Sequence, residues 1–394
     1  LRFLSSKQVE NTISGLFPNI SAYPFGSSVN GFGKMGCDLD IVLRLTNRDE
    51  NAESRLVYHC KAASGTERST NQRNMEALGD LINLFLPGCG QVRRILQARV
   101  PIIKYYQQLT NVECDLSMTN MSGVYMSDFL YIMGEIDYRV RPLIFTIRKW
   151  AKETSLTNSS PGRWITNFSL TLLALAFLQN PLHSPPVLPT LNTLVKLADK
   201  TEQFVTEDGI NCTFLRDITR LQFKKENDKS LESLLLEFFE FYSQFDFDTK
   251  AICLNEAVSI MKPEHSALYI VNPLERGLNV SKNVSYEELE RFKVEVRNAA
   301  WTLESCENQS NQKGLLRLFQ NKNSSDKYRL QFSSLNKQSR LMDIKNIFEE
   351  NDTENKDIIY KDEKIEKQVK QIKKETKQNI NALQMDQRRR KSKR

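Results

Sequence analysis

Two aspartates, Asp38 and Asp40, stand one residue apart in FGSSVNGFGKMGCDLDIVLRL, residues 25–45. In a strand, side chains at i and i+2 share a face, so a strand over 37–45 sets both carboxylates side by side and turns Leu39 and Ile41 to the core. Carboxylates that close raise each other's pKa unless a cation lies between them. The pattern asks for a metal ion. A third carboxylate, Asp115, lies in the short apolar run VECDLSM, residues 112–118, where a buried charge needs a partner. Eleven residues before Asp38, Ser27 follows Gly26, and a turn there offers backbone N–H groups and the hydroxyls of Ser27 and Ser28 to a phosphate.

The elements that must carry these residues follow from periodicity. SAYPFGSS, CDLDIVLRL, QARVPIIKYY and VECDLSM alternate as strands do, and NMEALGDLINLFL is an amphipathic helix. Thr46 to Gln72 is a polar insertion. From Met126 onward the three- and four-residue spacing of DFLYIMGEIDYRVRPLIFTIRKWAKETSL, NFSLTLLALAFLQ and SLESLLLEFFEFYSQF predicts a helical domain. SPPVLPTLN is a proline-punctuated connector, and Ser285 with Glu288 is a capping box. The expected fold is α+β, with a small mixed-sheet palm over 1–125, a helical domain over 126–308 and a polar, basic, disordered tail over 309–394. Within that tail Ile365, Val369, Ile372, Thr376 and Leu383 trace a weak helical stripe.

Composition narrows the chemistry. With 394 residues, 40% of them hydrophobic and 26% charged, the chain has material for two or three cores. Its longest apolar run, Phe168 to Leu178, is too short to cross a bilayer, so no membrane segment is expected. Seven cysteines without CxxC pairs, and three histidines, argue against zinc and against a disulfide framework. The metal is therefore expected to be oxygen-bound Mg2+ or Mn2+. The net charge is +7, but residues 361–394 hold 13 Lys and Arg against 5 Asp and Glu, so the basic character lies in the tail. A solvated tail of that kind has weak, non-specific affinity for nucleic acid.

Gly-Ser, ten residues, Asp-x-Asp, then a later strand with Asp before a hydroxyl residue resembles the DNA polymerase β-like nucleotidyltransferase superfamily. RVRPLIFTIRKWAKETSL and ITNFSLTLLALAFLQNP resemble the central domain of its poly(A) polymerase and terminal uridylyltransferase branch. SSPGRWITNFSLT, NCTFLRD and NPLERGLNVSKNVS are similar to the mitochondrial members of that branch. The likeness covers most of residues 20–305. It implies a two-metal site on Asp38, Asp40 and Asp115, with Asp115 placed to help remove a 3′-hydroxyl proton. It further implies triphosphate contacts from Gly26, Ser27, Ser28, Arg148 and Lys152, a ribose contact from Ser127 in place of the usual asparagine, and base contacts from Asn167 and Phe168. Cys37 stands where serine is common. Leu278 occupies the place of a histidine that uridylyltransferases carry, Asn272 replaces an aspartate and Glu275 keeps an acid, which favours ATP over UTP. The expected activity is template-independent addition of AMP to single-stranded RNA 3′ ends in mitochondria. Terminal uridylyl transfer is the alternative within the class, and an inactive RNA-binding scaffold the alternative outside it. The sequence leaves a homodimer open.

Overall fold

The computed structural model describes residues 1–45, 67–307 and 314–319, apart from 16, 18, 98–99, 119–120, 159, 161 and 182–183. Most of the polar insertion and of the tail, with its basic run and its stripe, lies outside the described residues. Chain order begins α1 (Arg2–Ser14), β1 (Ile20–Phe25), β2 (Leu39–Leu45), α2 (Glu67–Phe85), β3 (Cys89–Ile95), β4 (Ile102–Gln107) and β5 (Val112–Ser117). These strands form one sheet in the order β1-β2-β5-β4-β3, in which β2 and β5 run parallel and the other neighbours antiparallel.

The sheet has a dry face and an open face because its strands alternate. Leu39, Ile41 and Leu43 of β2, Ile103 and Tyr105 of β4, and Cys114 and Leu116 of β5 point to one side. There they pack against Val9 and Ile13 of α1 and Met75, Leu78 and Ile82 of α2, all buried. Each fully buried aliphatic side chain contributes about 1.5–3 kcal/mol. That burial fixes the register, since a slip of one residue would turn every polar side chain inward. The other face carries Asp40, Lys104 and Asp115.

The helical part follows as α3 (Ser122–Ile136), α4 (Val140–Glu153), α5 (Asn167–Gln179), α6 (Leu191–Leu197), α7 (Leu231–Gln244), the hairpin β6 (Lys250–Cys253) and β7 (Val258–Met261), α8 (Tyr286–Glu307) and α9 (Gly314–Phe319). α5 is apolar all round and is buried accordingly. Thr166 caps it by accepting from the Ser169 N–H at 3.0 Å, and Ser285 accepts from the Glu288 N–H at the start of α8. Trp150, Phe238, Phe239, Tyr242, Phe247 and Phe292 interlock around α7, mostly edge to face. Asp137 and Arg139, each 5% exposed, pair at 2.9 Å at the corner between α3 and α4, where Arg139 also grips Asn227.

Two boundaries differ from expectation. α3 starts at Ser122, so a division after residue 125 cuts through a helix. Gly314–Phe319, expected in the tail, forms a helix whose Leu318 enters the helical core. Its spacing of Leu315, Leu318 and Phe319 carries the apolar face. No described helix is long and apolar enough to cross a membrane.

Candidate active site

Asp40 and Asp115 face each other. They are partners in the parallel β2–β5 register, while Phe25 is opposite Asp40 on β1. Asp38 departs from expectation by lying one residue before β2, exposed, rather than within it. The reason is the end of the ladder: β1 turns away after Phe25, leaving nothing opposite Asp38. Burial, then the charges of Asp115 and Asp38, push the Asp40 carboxyl up to about 7, while Lys104 pulls it back. Asp115 is raised too, first by burial, against an ion pair with Lys104.

The turn at the end of β1 is built against Asp40. Gly26 has φ +73°, and a Cβ added there would lie 2.2 Å from Asp40 Oδ2, so only glycine lets the backbone come this close. The Gly26 N–H donates to Ser127 Oγ at 2.8 Å, and the Ser127 hydroxyl donates to the Gly123 carbonyl at 2.8 Å. Ser127 is 4% exposed. Its hydroxyl therefore supports the turn from beneath. Ser28 donates to the Phe25 carbonyl at 3.2 Å; Ser27 and Ser28 are half-buried on the turn. Arg2 of α1 donates to both the Sγ and the carbonyl of Cys37, fixing the residue before Asp38.

Phe32, farther along this loop, belongs to the helical core and is 1% exposed. Arg148 donates to the Phe32 carbonyl at 2.5 Å and to the Asn167 carbonyl at 3.3 Å, joining the loop to the start of α5. Burial lowers its guanidinium to about 10, so it stays charged at neutral pH. Two of its donors are thus committed to backbone. Lys152 is exposed one turn on, Asn167 is exposed at the first position of α5, and Phe168 is half-buried against the core. Asn272 uses its side-chain oxygen on the Leu274 and Glu275 N–H groups at 3.0 and 3.1 Å, capping a turn as an aspartate would.

Sequence reasoning did not single out Lys104. The signal was present in PIIKYYQ, whose alternation places Lys104 on the face opposite Ile103 and Tyr105. Donor chemistry suits a hard cation, since the three side chains offer only carboxylate oxygens. Among the described residues no three His, Cys, Asp or Glu side chains are grouped closely enough to hold a metal ion, so Asp38, Asp40 and Asp115 do not stand as a formed three-ligand set.

Comparisons with known proteins agree with this architecture. A model of the family described as "Poly(A) RNA polymerase, mitochondrial-like, central palm domain" matches residues 1–135, and one described as "Cid1 family poly A polymerase" matches residues 230–277. A crystal structure of mtPAP in complex with ATPγS matches with a TM-score of 0.72 at 39% identity, over 81% of this chain and 68% of that one. A Cid1 poly(U) polymerase structure matches with a TM-score of 0.65 at 22% identity, over 81% of this chain and 91% of that one, a likeness of fold. The fold is thus that of a nucleotidyltransferase palm joined to a helical domain. The mitochondrial poly(A) RNA polymerase of Drosophila melanogaster is 59% identical over 77% of this chain and 51% of its own length. That of Homo sapiens is 42% identical over 77% and 52%. The chain belongs to the mitochondrial poly(A) RNA polymerase family. It spans about half the length of the curated relatives it matches.

Proposed function

We propose that the protein adds AMP from ATP to the 3′ ends of single-stranded RNA without a template, in mitochondria. The observation that carries this reading is the placement of Asp40 between Asp115 and the Gly26–Ser28 turn, which puts a carboxylate pair beside a phosphate cradle. Asp38, Asp40 and Asp115 would hold magnesium or manganese, which when bound supplies Lewis-acid stabilisation of the triphosphate and lowers the pKa of the attacking hydroxyl. The turn would meet triphosphate oxygens first through Ser27, since the Gly26 N–H and the Ser28 hydroxyl are engaged by Ser127 and the Phe25 carbonyl, and Arg148 and Lys152 add positive charge from α4. In this reading Asp115 helps remove the 3′-hydroxyl proton. Phe168 and Asn167 border the base. Domains are read as palm, helical domain and tail, with α3 shared by the first two.

Structures of mtPAP in complex with ATPγS, UTP, CTP and GTP indicate that nucleotide binding alone does not select. The test is therefore incorporation. Purified protein is given a 5′-labelled single-stranded RNA, magnesium or manganese, and each of the four nucleoside triphosphates separately, with Asp38→Ala alongside. A ladder with ATP that vanishes in the variant is expected. A UTP ladder would make the protein a uridylyltransferase, and no ladder from folded protein that binds RNA would make it a scaffold.

A further inference from the structure

The open face of the palm carries a row of charged residues that runs past the carboxylates. Asp40 pairs in register with Asp115, Asp115 with Lys104 of β4, and Lys104 with Arg93 of β3. Paired residues share a face, so the row reads carboxylate, carboxylate, ammonium, guanidinium across four adjacent strands. Arg94, the next residue, lies on the opposite face, where it pairs with Asp80 of α2. Arg93 is exposed, and no described carboxylate pairs with it.

We infer that Lys104 and Arg93 form a phosphate track for the acceptor strand, carrying the last phosphates of the RNA away from its 3′ end across β4 and β3. This rests on the RNA 3′-end reading above. The phosphates belong to the strand and not to the nucleotide, because the Gly26–Ser28 turn lies beyond β2, on the other side of the carboxylates. Two strand spacings set the Arg93 backbone about 10 Å from that of Asp115, within reach of the strand's terminal phosphates. The neighbouring rows do not compete. Glu113 lies one row down beside Tyr106 and repels a polyanion, and the row above is Val42, Ser117, Ile102 and Ile95.

The test compares Arg93→Gln, Arg93→Lys and Arg94→Gln in the full chain. Binding of a short 5′-labelled oligoadenylate is followed by fluorescence anisotropy at several salt concentrations, with the KM for ATP measured in parallel. Losing one phosphate contact to a single strand makes the slope of log affinity against log salt shallower by about 0.7. Between about 50 and 200 mM salt the Arg93→Gln variant is thus expected to lose about 2.6-fold less affinity than wild type. Arg93→Lys keeps the wild-type slope, Arg94→Gln is unchanged, and none alters the KM for ATP. An Arg93→Gln slope equal to wild type, equal shallowing in the Arg93→Gln and Arg94→Gln variants, or a raised KM for ATP overturns the track. A wild-type protein that neither binds nor extends RNA overturns the RNA reading itself, and the track with it.

Discussion

Gly26→Ala tests whether the turn and Asp40 are one device. At φ +73° an alanine adopts a left-handed conformation that costs about 1–3 kcal/mol. The new Cβ also meets Asp40 Oδ2 at 2.2 Å, and the contact is relieved when the carboxylate swings away by about 1 Å. That atom is the end of a side chain, so the fold survives while the carboxylate leaves its place beside Asp115. A displacement of about 1 Å at a reacting centre costs on the order of 100-fold in rate. Gly209→Ala separates the two effects, because Gly209 has φ +78° and open space where its Cβ would lie. Denaturant unfolding is expected to show a similar loss for both variants, about 1–3 kcal/mol. Single-nucleotide extension is expected to fall about 100-fold only for Gly26→Ala. If Gly26→Ala extends RNA as wild type does, or if both variants lose rate equally, the close approach has no part in catalysis.

Asp40 gives the metal-free protein a pH dependence. Its folded pKa of about 7 lies above the ordinary 3.8, so the stabilisation is full below pH 3.8 and is lost as pH rises to about 7. The loss is at most ~4 kcal/mol. In EDTA the Tm should decline over that window for wild type and less for Asp40→Asn; parallel curves would show that burial and its acidic neighbours do not raise the Asp40 carboxyl. Ser127→Ala leaves the Gly26 N–H without its acceptor and should cost about 1–3 kcal/mol while raising the KM for ATP, so an unchanged KM would detach Ser127 from the turn. Asp137→Ala strands the buried Arg139 charge, and urea unfolding should register about 3–5 kcal/mol with kcat per folded molecule unchanged.

What could be seen in the sequence was what alternation and glycine encode. β1, β2, β4 and β5 repeat every second residue, and the Gly-Ser turn declares itself. α1 was missed because its buried face includes Ser5 and Ser6, whose hydroxyls find Thr110 and the Ala22 carbonyl only after folding. β3 was missed because CGQVRRI is polar on both faces and is held by pairing with β4 across a register shift between Gly90 and Arg93. Lys104 was legible as a strand residue, but its partner Asp115 lies 11 residues away, and spacing alone does not reveal a cross-strand neighbour.

The same limit explains why the palm and the helical domain are less separable than their sequences suggest. The Gly26–Ser28 turn contains no residue after Ser28, yet its first N–H is held by Ser127 on α3. Four residues beyond Ser28, Phe32 is buried in the helical core and its carbonyl is held by Arg148 on α4. A palm cut at residue 125 would keep its sheet, because α1 and α2 cover the dry face without help from the helices beyond. It would lose both clamps on the turn. The carboxylates would then stand on an intact sheet beside a loop with no fixed shape, and catalysis needs both at once. Helical-domain residues far from the carboxylates hold the backbone of residues 26–32, and on the function proposed above substitutions at Ser127 or Arg148 are expected to act on nucleotide binding before they act on the sheet.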